Sequence, residues 1–483
     1  MNLLLLSHEI PTLLLGLALL LADLWLPQSE KRKLGFAAAA GVAAILVFSL
    51  FQFSIGTVGT QYAFGQMFVL DPLALFFKRF FLLAALLVLL MAVEFADRIE
   101  AGIAEYYALI LFALSGMMFA ASANDFAVLF VSLELITVTF YVLVSFQRGR
   151  LPSLEAGIKY LIIGALSSAF LVFGIAFVFG TTGRLNFAEL AAVTPQFVEN
   201  KLFLFGLLFV LVGLGFKIAA VPFQIWAPDV YQGAPTPTTA FLAVGSKAAG
   251  FVLLLRVLFV AAPAVTKHWS VLLMWLAGAT ILYGNLCAIP QRNVKRLLGY
   301  SSIAHAGYLL LGVVALSSAG QAAVLYYLSG YLFTVLAAFI GVCLVMRQFE
   351  TADVTELAGL HQRSPLLAAT MTLAMMSLAG IPPTAGFFGK LLLLKSVLEQ
   401  GPANAGYYWL AGVALAGVVI SLYYYFGIIR AIYWSKDAAD LSPIALRGSI
   451  RTALAVCIAG ILFIGSYPDP LVNLANMAVK VLR

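Results

Sequence analysis

Four charged residues interrupt long apolar runs of this sequence, in places where a charge has no evident use outside chemistry. At the centre of a membrane helix an Arg, Lys or Asp costs about 2.5–3.5 kcal/mol, so such residues normally face a protein or water interior and mark an ion path. Lysine and glutamate exchange protons when their surroundings change. The pattern therefore predicts an ion path that includes Glu134, Lys217, Lys247 and Lys395.

Other polar residues in or near apolar runs are further candidates. His305 is the only one of the 4 histidines well inside a predicted span, and a group that titrates near neutrality suits a proton shuttle. A hydrogen-bonded structural histidine is the alternative. The i, i+4 spacing of Glu155 and Lys159 favours a stabilising pair over an additional relay. Lys390 fits either role, and Lys78-Arg79 is expected to extend to the membrane surface.

A structural role also stays open for the four buried charges. Glu134 and Lys217 could form a static ion pair that holds two helices together. The flexible stem of Lys247 or Lys395 could carry its ammonium group toward the surface. The residues alone are consistent with both an ion path and a purely structural role for these charges.

The composition is that of an integral membrane protein, with 63% hydrophobic and only 10% charged residues. A spanning helix needs about 20 apolar residues, and lipid admits only helices or closed barrels. The uncharged runs are too long for barrel strands, which alternate over roughly ten residues. The formal charge of +7 then describes loops and orientation, so no nucleic acid is expected as a partner.

Glycine, proline and charge clusters divide the chain into about fourteen spans, which predicts an all-α polytopic membrane protein. Span seven is interrupted near Pro222 and span twelve at Pro382-Pro383. Such interruptions at matching places point to inverted repeats with an ion site between them, here spans four to eight and nine to thirteen. The predicted regions are an N-terminal three-helix region (1–102), a first repeat (103–262), an inverted second repeat (263–433) and a C-terminal helix (434–483).

Lysine and arginine concentrate in the loops that follow odd-numbered spans, for example Lys31-Arg32-Lys33, Arg148 and Arg150. The positive-inside rule places these loops in the cytoplasm and both termini on the periplasmic side. No basic segment precedes the first span, which is therefore expected to be a mature helix and not a cleaved signal.

No redox or metal centre is predicted in this chain. Cys287, Cys343 and Cys457 lie far apart within apolar runs and lack metal-ligand spacing. There is also no Gly-rich nucleotide fingerprint after a strand and no histidine pair spaced for haem.

Three segments resemble motifs of one family. Residues 215–237 resemble the seventh-helix motif of the antiporter-like subunits of bacterial respiratory complex I, the NADH-quinone oxidoreductase, and of subunit N in particular. Residues 295–308 and 378–395 are similar to the tenth- and twelfth-helix motifs of that family. The resemblance covers essentially the whole chain. Subunit L carries a long C-terminal extension that is absent here, and subunit M is expected to have Glu in place of Lys395.

The resemblance implies a proton-translocating subunit, with a role for each buried charge. Glu134 would pair with Lys217, Lys247 would pass the charge on, and Lys395 would face the exit path. The enzyme as a whole would be a translocase of the bacterial inner membrane. NAD, FMN, iron–sulfur clusters and quinone are expected elsewhere in that complex, and subunits M, K and J as neighbours.

The alternative is a large subunit of a multi-subunit cation/proton antiporter, since those subunits share the fold and the buried lysines. The segment 228–233 favours the first interpretation.

Overall fold

The computed structural model describes residues 3–347, 349, 352–434 and 441–482, and within these ranges the protein is almost entirely helical. The chain ends Met1 and Arg483, whose side of the membrane was predicted above, lie outside the described residues. The helices are α1 (Glu9–Asp23), α2 (Arg32–Gln52), α3 (Pro72–Phe95), α4 (Ile103–Ala121), α5 (Phe126–Val144), α6 (Leu151–Thr182), α7 (Phe187–Val193), α8 (Lys201–Ile218), α9 (Trp226–Gly233), α10 (Thr236–Phe241), α11 (Lys247–Arg256), α12 (Thr266–Ala288), α13 (Val294–Val314), α14 (Ser318–Val345), α15 (Leu360–Arg363), α16 (Pro365–Ala379), α17 (Ala385–Leu398), α18 (Gly406–Trp434), α19 (Gly448–Ser466) and α20 (Asp469–Ala478).

Twelve helical segments of the described chain are long and apolar enough to cross a membrane. They coincide with predicted spans two to eleven, thirteen and fourteen. Predicted span one is the 15-residue helix α1, and predicted span twelve is divided between α16 and α17. The all-α membrane fold is thus confirmed, whereas the count of fourteen is not, because two predicted spans contain only shorter helices.

Side-chain caps set several helix starts, because the first backbone N–H groups of a helix lack partners within it. The carboxylate of Asp71 accepts a hydrogen bond from the backbone of Ala74 at the start of α3. Asn293 does the same for α13, so this helix begins at Val294 and includes Lys295 and Arg296, whereas the sequence predicts span ten only over Ser301–Leu316. The start of this helix was predicted too late in the sequence, because charged residues in its first turn were taken to lie outside the membrane span.

Both predicted interruptions are present, and they have the same local form. The residue directly after α8 is Ala219 with φ +58°, and the residue directly after α16 is Gly380 with φ +86°. A proline preceded by a cis peptide bond follows each of these left-handed residues, at Pro222 and Pro383. The left-handed conformation closes a helix by directing backbone N–H groups to its last carbonyls. Other carbonyl groups of each helix end stay available to side chains in the protein interior, at Phe216 in α8 and at Leu378 and Ala379 in α16.

A short antiparallel hairpin is the one departure from the predicted all-helical pattern among the described residues. Strands β1 (Gln61–Ala63) and β2 (Phe68–Leu70) lie between α2 and α3. Phe68 packs on Phe119 of α4, so the hairpin covers one end of the N-terminal helices.

Helices α13 and α14 form the centre of the fold, and most of their residues are buried. Helix α6 is peripheral and exposes large apolar side chains along most of its length, among them Ile158, Ile162 and Phe173. Most polar residues on α13 and α14 are therefore surrounded by other helices, whereas polar residues near α6 lie close to the outer surface of the subunit.

The prediction that Lys78 reaches the membrane surface is wrong. Its ammonium group is fully buried and lies 2.8 Å from the carboxylate of Glu9, which is also fully buried. Helix α1 supplies this carboxylate from a distant part of the sequence, so the charge is paired within the protein. Its neighbour Arg79 donates hydrogen bonds to the carbonyl oxygens of Ser49 and Phe53.

Two further carboxylates join the N-terminal helices to the rest of the subunit. Asp71 forms a buried pair with Arg256, with a shortest nitrogen–oxygen distance of 2.9 Å, and Arg256 also donates to the carbonyl of Ala121 at 2.9 Å. At the other end of α3, the buried carboxylate of Glu94 contacts three guanidinium groups, those of Arg32, Arg347 and Arg447. These ionic contacts fix α2, α3, α14 and the start of α19 relative to one another.

Candidate functional site

Glu134 and Lys217 line one small cavity between α5, α6 and α8, but they do not form an ion pair. The carboxylate of Glu134 accepts a hydrogen bond from the hydroxyl of Ser168 on α6. The ammonium group of Lys217 donates to the hydroxyl of Thr137 at 2.8 Å. Thr137 lies one turn after Glu134 on α5. The two charges thus share a cavity while each is held by a neutral hydroxyl group.

Lys217 occupies the last turn of α8, directly before the break. A helix C-terminus carries partial negative charge, which stabilises a cation there. Across the break, the indole N–H of Trp226 donates to the carbonyl of Phe216 at 3.1 Å. The break therefore brings a helix end and an aromatic side chain next to the buried lysine.

Gly250 on α11 brings the next lysine close to Lys217. A Cβ atom at Gly250 would lie 3.4 Å from the Lys217 Cβ and 2.7 Å from a methyl group of Ile218. Only glycine allows this approach without displacing Ile218. Lys247 lies one turn before Gly250, so the two lysines belong to directly packed helices.

Lys247 follows a π-helical segment, Leu242–Ser246, of the kind often found at functional sites. Its buried ammonium group donates to both the hydroxyl and the carbonyl oxygen of Ser302 on α13. The same hydroxyl is 3.0 Å from the phenol oxygens of Tyr231 and Tyr331. The ammonium group also lies 5.4 Å from the ring centroid of Tyr331.

His305 lies one turn further along α13 and is bound on both ring nitrogens. Nδ1 is hydrogen-bonded to the hydroxyl of Tyr327 on α14, and Nε2 is 3.0 Å from the hydroxyl of Tyr425 on α18. Tyr425 in turn is 2.5 Å from the hydroxyl of Ser301. A neutral imidazole has one donor and one acceptor nitrogen. The ring therefore donates a hydrogen bond to one of these hydroxyl groups and accepts one from the other.

Lys390 on α17 is buried beside the second break. Its ammonium group donates to the carbonyl oxygens of Leu378 at 2.6 Å and Ala379 at 3.1 Å, both at the end of α16. It also lies 5.0 Å from the ring centroid of Tyr308, which is on the same helix as His305. The helix end that the break exposes thus holds this lysine.

The structure does not place Lys395 with the buried lysines. Its side chain is 68% exposed in the isolated subunit and lies 3.8 Å from Glu399. Of the two lysines in the segment that resembles the twelfth-helix motif, Lys390 has the buried position. Helix α17 explains the difference, because five residues turn a helix by about 140° from one lysine to the other.

Glu155 and Lys159 form the expected i, i+4 pair at 2.7 Å, and both side chains are partly exposed. Lys159 also contacts Asp229 on α9 at 2.7 Å, and Asp229 forms an ion pair with Arg296 on α13. This group ties α6, α9 and α13 together near the surface, outside the buried row.

The neutral partners of the buried charges were not predicted from the sequence. Their hydroxyl groups come from α5, α6, α9, α13, α14 and α18, so no local spacing connects them. The only available signal was the tenth-helix motif, in which two serines precede the histidine. The missed partners are Thr137, Ser168, Tyr231, Ser301, Ser302, Tyr327, Tyr331 and Tyr425.

The arrangement can hold and transfer protons. Among the described residues, no carboxylate forms an ion pair with Lys217, Lys247 or Lys390, which are bound only by hydroxyl and carbonyl oxygens. A lysine with neutral partners can lose its proton without leaving a buried carboxylate unpaired. With His305 these lysines form a row across the subunit centre, which we call the lysine row.

Known proteins resemble this chain over nearly its whole length. A family model described as NADH:quinone oxidoreductase/Mrp antiporter, transmembrane, matches residues 123–421. NADH-quinone oxidoreductase subunit N of Moorella thermoacetica is 41% identical over 482 residues, covering 99% of this chain and 98% of that protein.

Two solved structures show the same fold. A chain of respiratory complex I from Thermus thermophilus with bound aureothin superposes with a TM-score of 0.80 at 33% identity, covering 96% of this chain and 98% of that one. A chain of the Mrp complex from Dietzia sp. superposes with a TM-score of 0.83 at 22% identity, covering 100% and 98%, which shows a shared fold alone. The full-length relatives and the family model establish that this chain belongs to the NADH:quinone oxidoreductase/Mrp antiporter transmembrane family, among its subunit N members.

Proposed function

We propose that this chain is a proton-translocating membrane-arm subunit of an NADH-quinone oxidoreductase in the bacterial inner membrane. The observation that carries the proposal is the lysine row, in which Lys217, Lys247 and Lys390 are buried with neutral oxygen partners only, among the described residues. Buried lysines of this kind are costly in a membrane protein and are typical of proton paths.

Glu134 and Lys217 are proposed to act as the switch of this path. Glu134 is half-buried beside the peripheral helix α6, where a neighbouring subunit can bias its position. When its carboxylate approaches Lys217 the ammonium form is favoured, and when it moves away the proton is released. Moving one charge across the membrane potential requires about 2.3 kcal/mol per 100 mV, which is within the range of close charge interactions in a low dielectric.

We further propose Lys390 as the last lysine of the path, in place of Lys395. The support is its burial and its two bonds to the end of α16. His305 would transfer protons between Lys247 and Lys390 through the hydroxyl groups of Tyr327 and Tyr425.

The redox chemistry is proposed to take place outside this chain, which would carry no flavin, haem or iron–sulfur cluster of its own. Subunits M, K and J are proposed as neighbours that transmit the driving conformational change. The full-length subunit N relatives favour this function over that of a cation/proton antiporter subunit, for which the resemblance is one of fold alone.

Residues 103–262 and 263–433 are proposed as inverted repeats, and the left-handed residues Ala219 and Gly380, one at each break, support this proposal. In the proposed orientation both termini are periplasmic. A membrane-impermeant thiol reagent applied from outside should then label Thr60→Cys, directly before strand β1, and spare Ser29→Cys, both at exposed positions. Labelling of Ser29→Cys alone would show that the orientation is the opposite of the proposed one.

The decisive experiment for the function replaces Lys217. Arginine keeps the positive charge and can still pair with Glu134, but it does not release a proton in proteins. We expect Lys217→Arg to lose proton pumping nearly as completely as Lys217→Ala, with the complex still assembled. The measurement is NADH-driven proton uptake by inverted vesicles, normalised to assembled enzyme. Near-normal pumping by the arginine variant would exclude deprotonation of Lys217 as an obligatory step.

A further inference from the structure

The hydroxyl group of Ser302 has three hydrogen-bond neighbours, and it cannot interact with all three in the same way. A serine hydroxyl offers two acceptor lone pairs and a single hydrogen. Three groups from three other helices surround it: the Lys247 ammonium group from α11 and the phenols of Tyr231 from α9 and Tyr331 from α14. With Lys247 charged, the serine oxygen accepts from Lys247 and Tyr331, so its own hydrogen is left for Tyr231.

A neutral Lys247 reverses part of this arrangement. An uncharged amine has one lone pair and two N–H bonds, so it can still donate to the Ser302 carbonyl while it accepts from the Ser302 hydroxyl. The serine hydrogen then points to Lys247, and Tyr231 must become a donor to the serine oxygen. Tyr331 donates in both arrangements. Every oxygen keeps its own hydrogen throughout, and only the directions of two hydrogen bonds change.

We propose that Ser302 is a positioning residue whose hydroxyl reverses direction when Lys247 loses its proton, and that Tyr231 changes from acceptor to donor with it. The proposal rests on the proposed proton-translocating function and deepens it. Tyr231 belongs to α9, directly after the first break, and its ring packs against Trp226, which in turn bonds the end of α8 beside Lys217. The protonation state of Lys247 is thereby communicated to the helix end that holds Lys217.

The two tyrosines provide a matched test, because each is 3.0 Å from the same serine oxygen but only Tyr231 changes its role. We expect Tyr231→Phe to slow NADH-driven proton uptake about tenfold per assembled complex, the effect of one hydrogen bond to a charged group or its partner. Tyr331→Phe removes a bond that is the same in both arrangements, so it should slow uptake by less than about threefold. Equal effects of the two variants would overturn the proposal, since a merely structural cluster loses one hydrogen bond in each case.

Ser302→Ala removes the reversing group and should match Tyr231→Phe, and the double variant should be no slower than Ser302→Ala alone because both act on one unit. Additive losses would contradict the coupling. Ser115→Ala on α4, where the buried hydroxyl bonds only its own helix, is the control and should pump normally. If Ser302→Ala does not assemble, the tyrosine pair decides alone. Failure of the proposed function itself would be recognised separately, because Lys217→Arg would then pump normally.

Discussion

Buried cations are held in two opposite ways in this protein. Lys78 and Arg256 are each paired with a buried carboxylate of the N-terminal region, at 2.8 Å from Glu9 and 2.9 Å from Asp71. In the lysine row, the ammonium groups contact hydroxyl and carbonyl oxygens. Both groups lie in the same apolar interior, so burial alone does not decide what a charged residue does.

The partner makes the difference, because it determines which protonation states are tolerated. Deprotonating a lysine that faces a carboxylate leaves a buried negative charge without its counterion, which is strongly unfavourable. A hydroxyl group can accept from an ammonium group and donate to an amine. The paired cations are therefore expected to keep their charge and hold helices together, whereas the cations of the lysine row can titrate.

The largest effect is expected from breaking one of the fixed pairs. Asp71→Asn keeps the size of the side chain but leaves Arg256 as a buried charge without its counterion. Removing one partner of a buried pair costs about 3–5 kcal/mol, so we expect reduced assembly and a lower thermal unfolding temperature of the purified complex. Proton uptake per assembled complex should stay near normal. A stable complex that no longer pumps would place Asp71 in the relay and contradict the comparison.

Lys390→Met is expected to lower stability less than Asp71→Asn does and to impair proton pumping more. Methionine is unbranched and apolar, so it removes the charge while filling much of the space. The two carbonyl oxygens at the end of α16 lose their donor, which costs about 1–3 kcal/mol. Proton uptake should be abolished while the complex assembles. Retained uptake would remove Lys390 from the path and return the lysine row to a structural role.

Much of the fold followed from composition and punctuation in the sequence. Both breaks were predicted because Pro222 and Pro382-Pro383 interrupt apolar runs, and proline cannot continue a helix. The ends of helices were less well predicted where charged residues belong to the first turn, as in α13. The partner of Lys78 was not predicted, since Glu9 lies on another helix and no local spacing connects them.

The candidate site was predictable only in its charges. Glu134, Lys217, Lys247 and His305 stood out because apolar neighbours on both sides make a polar residue conspicuous. Their hydroxyl partners did not, because serine and tyrosine are common in membrane helices and make contact here through tertiary packing. Helix α17 is apolar on nearly all sides, so its sequence alone did not distinguish the buried lysine from the exposed one.

The smallest effect is expected from replacing Lys395, whose position in an apolar run contributed to its prediction as a relay residue. Its ammonium group is largely exposed in the isolated subunit and its i, i+4 partner Glu399 is exposed as well, an arrangement that contributes about 0.3–0.5 kcal/mol. Lys395→Met should therefore leave assembly unchanged and reduce proton uptake by less than about twofold, in the same vesicles in which Lys390→Met abolishes it. Both substitutions remove one lysine from the same helix, so general damage to α17 would affect them alike. If Lys395→Met stopped pumping while Lys390→Met did not, the exposed lysine would be the proton-carrying one, and burial with neutral partners would lose its value as the mark of a relay residue.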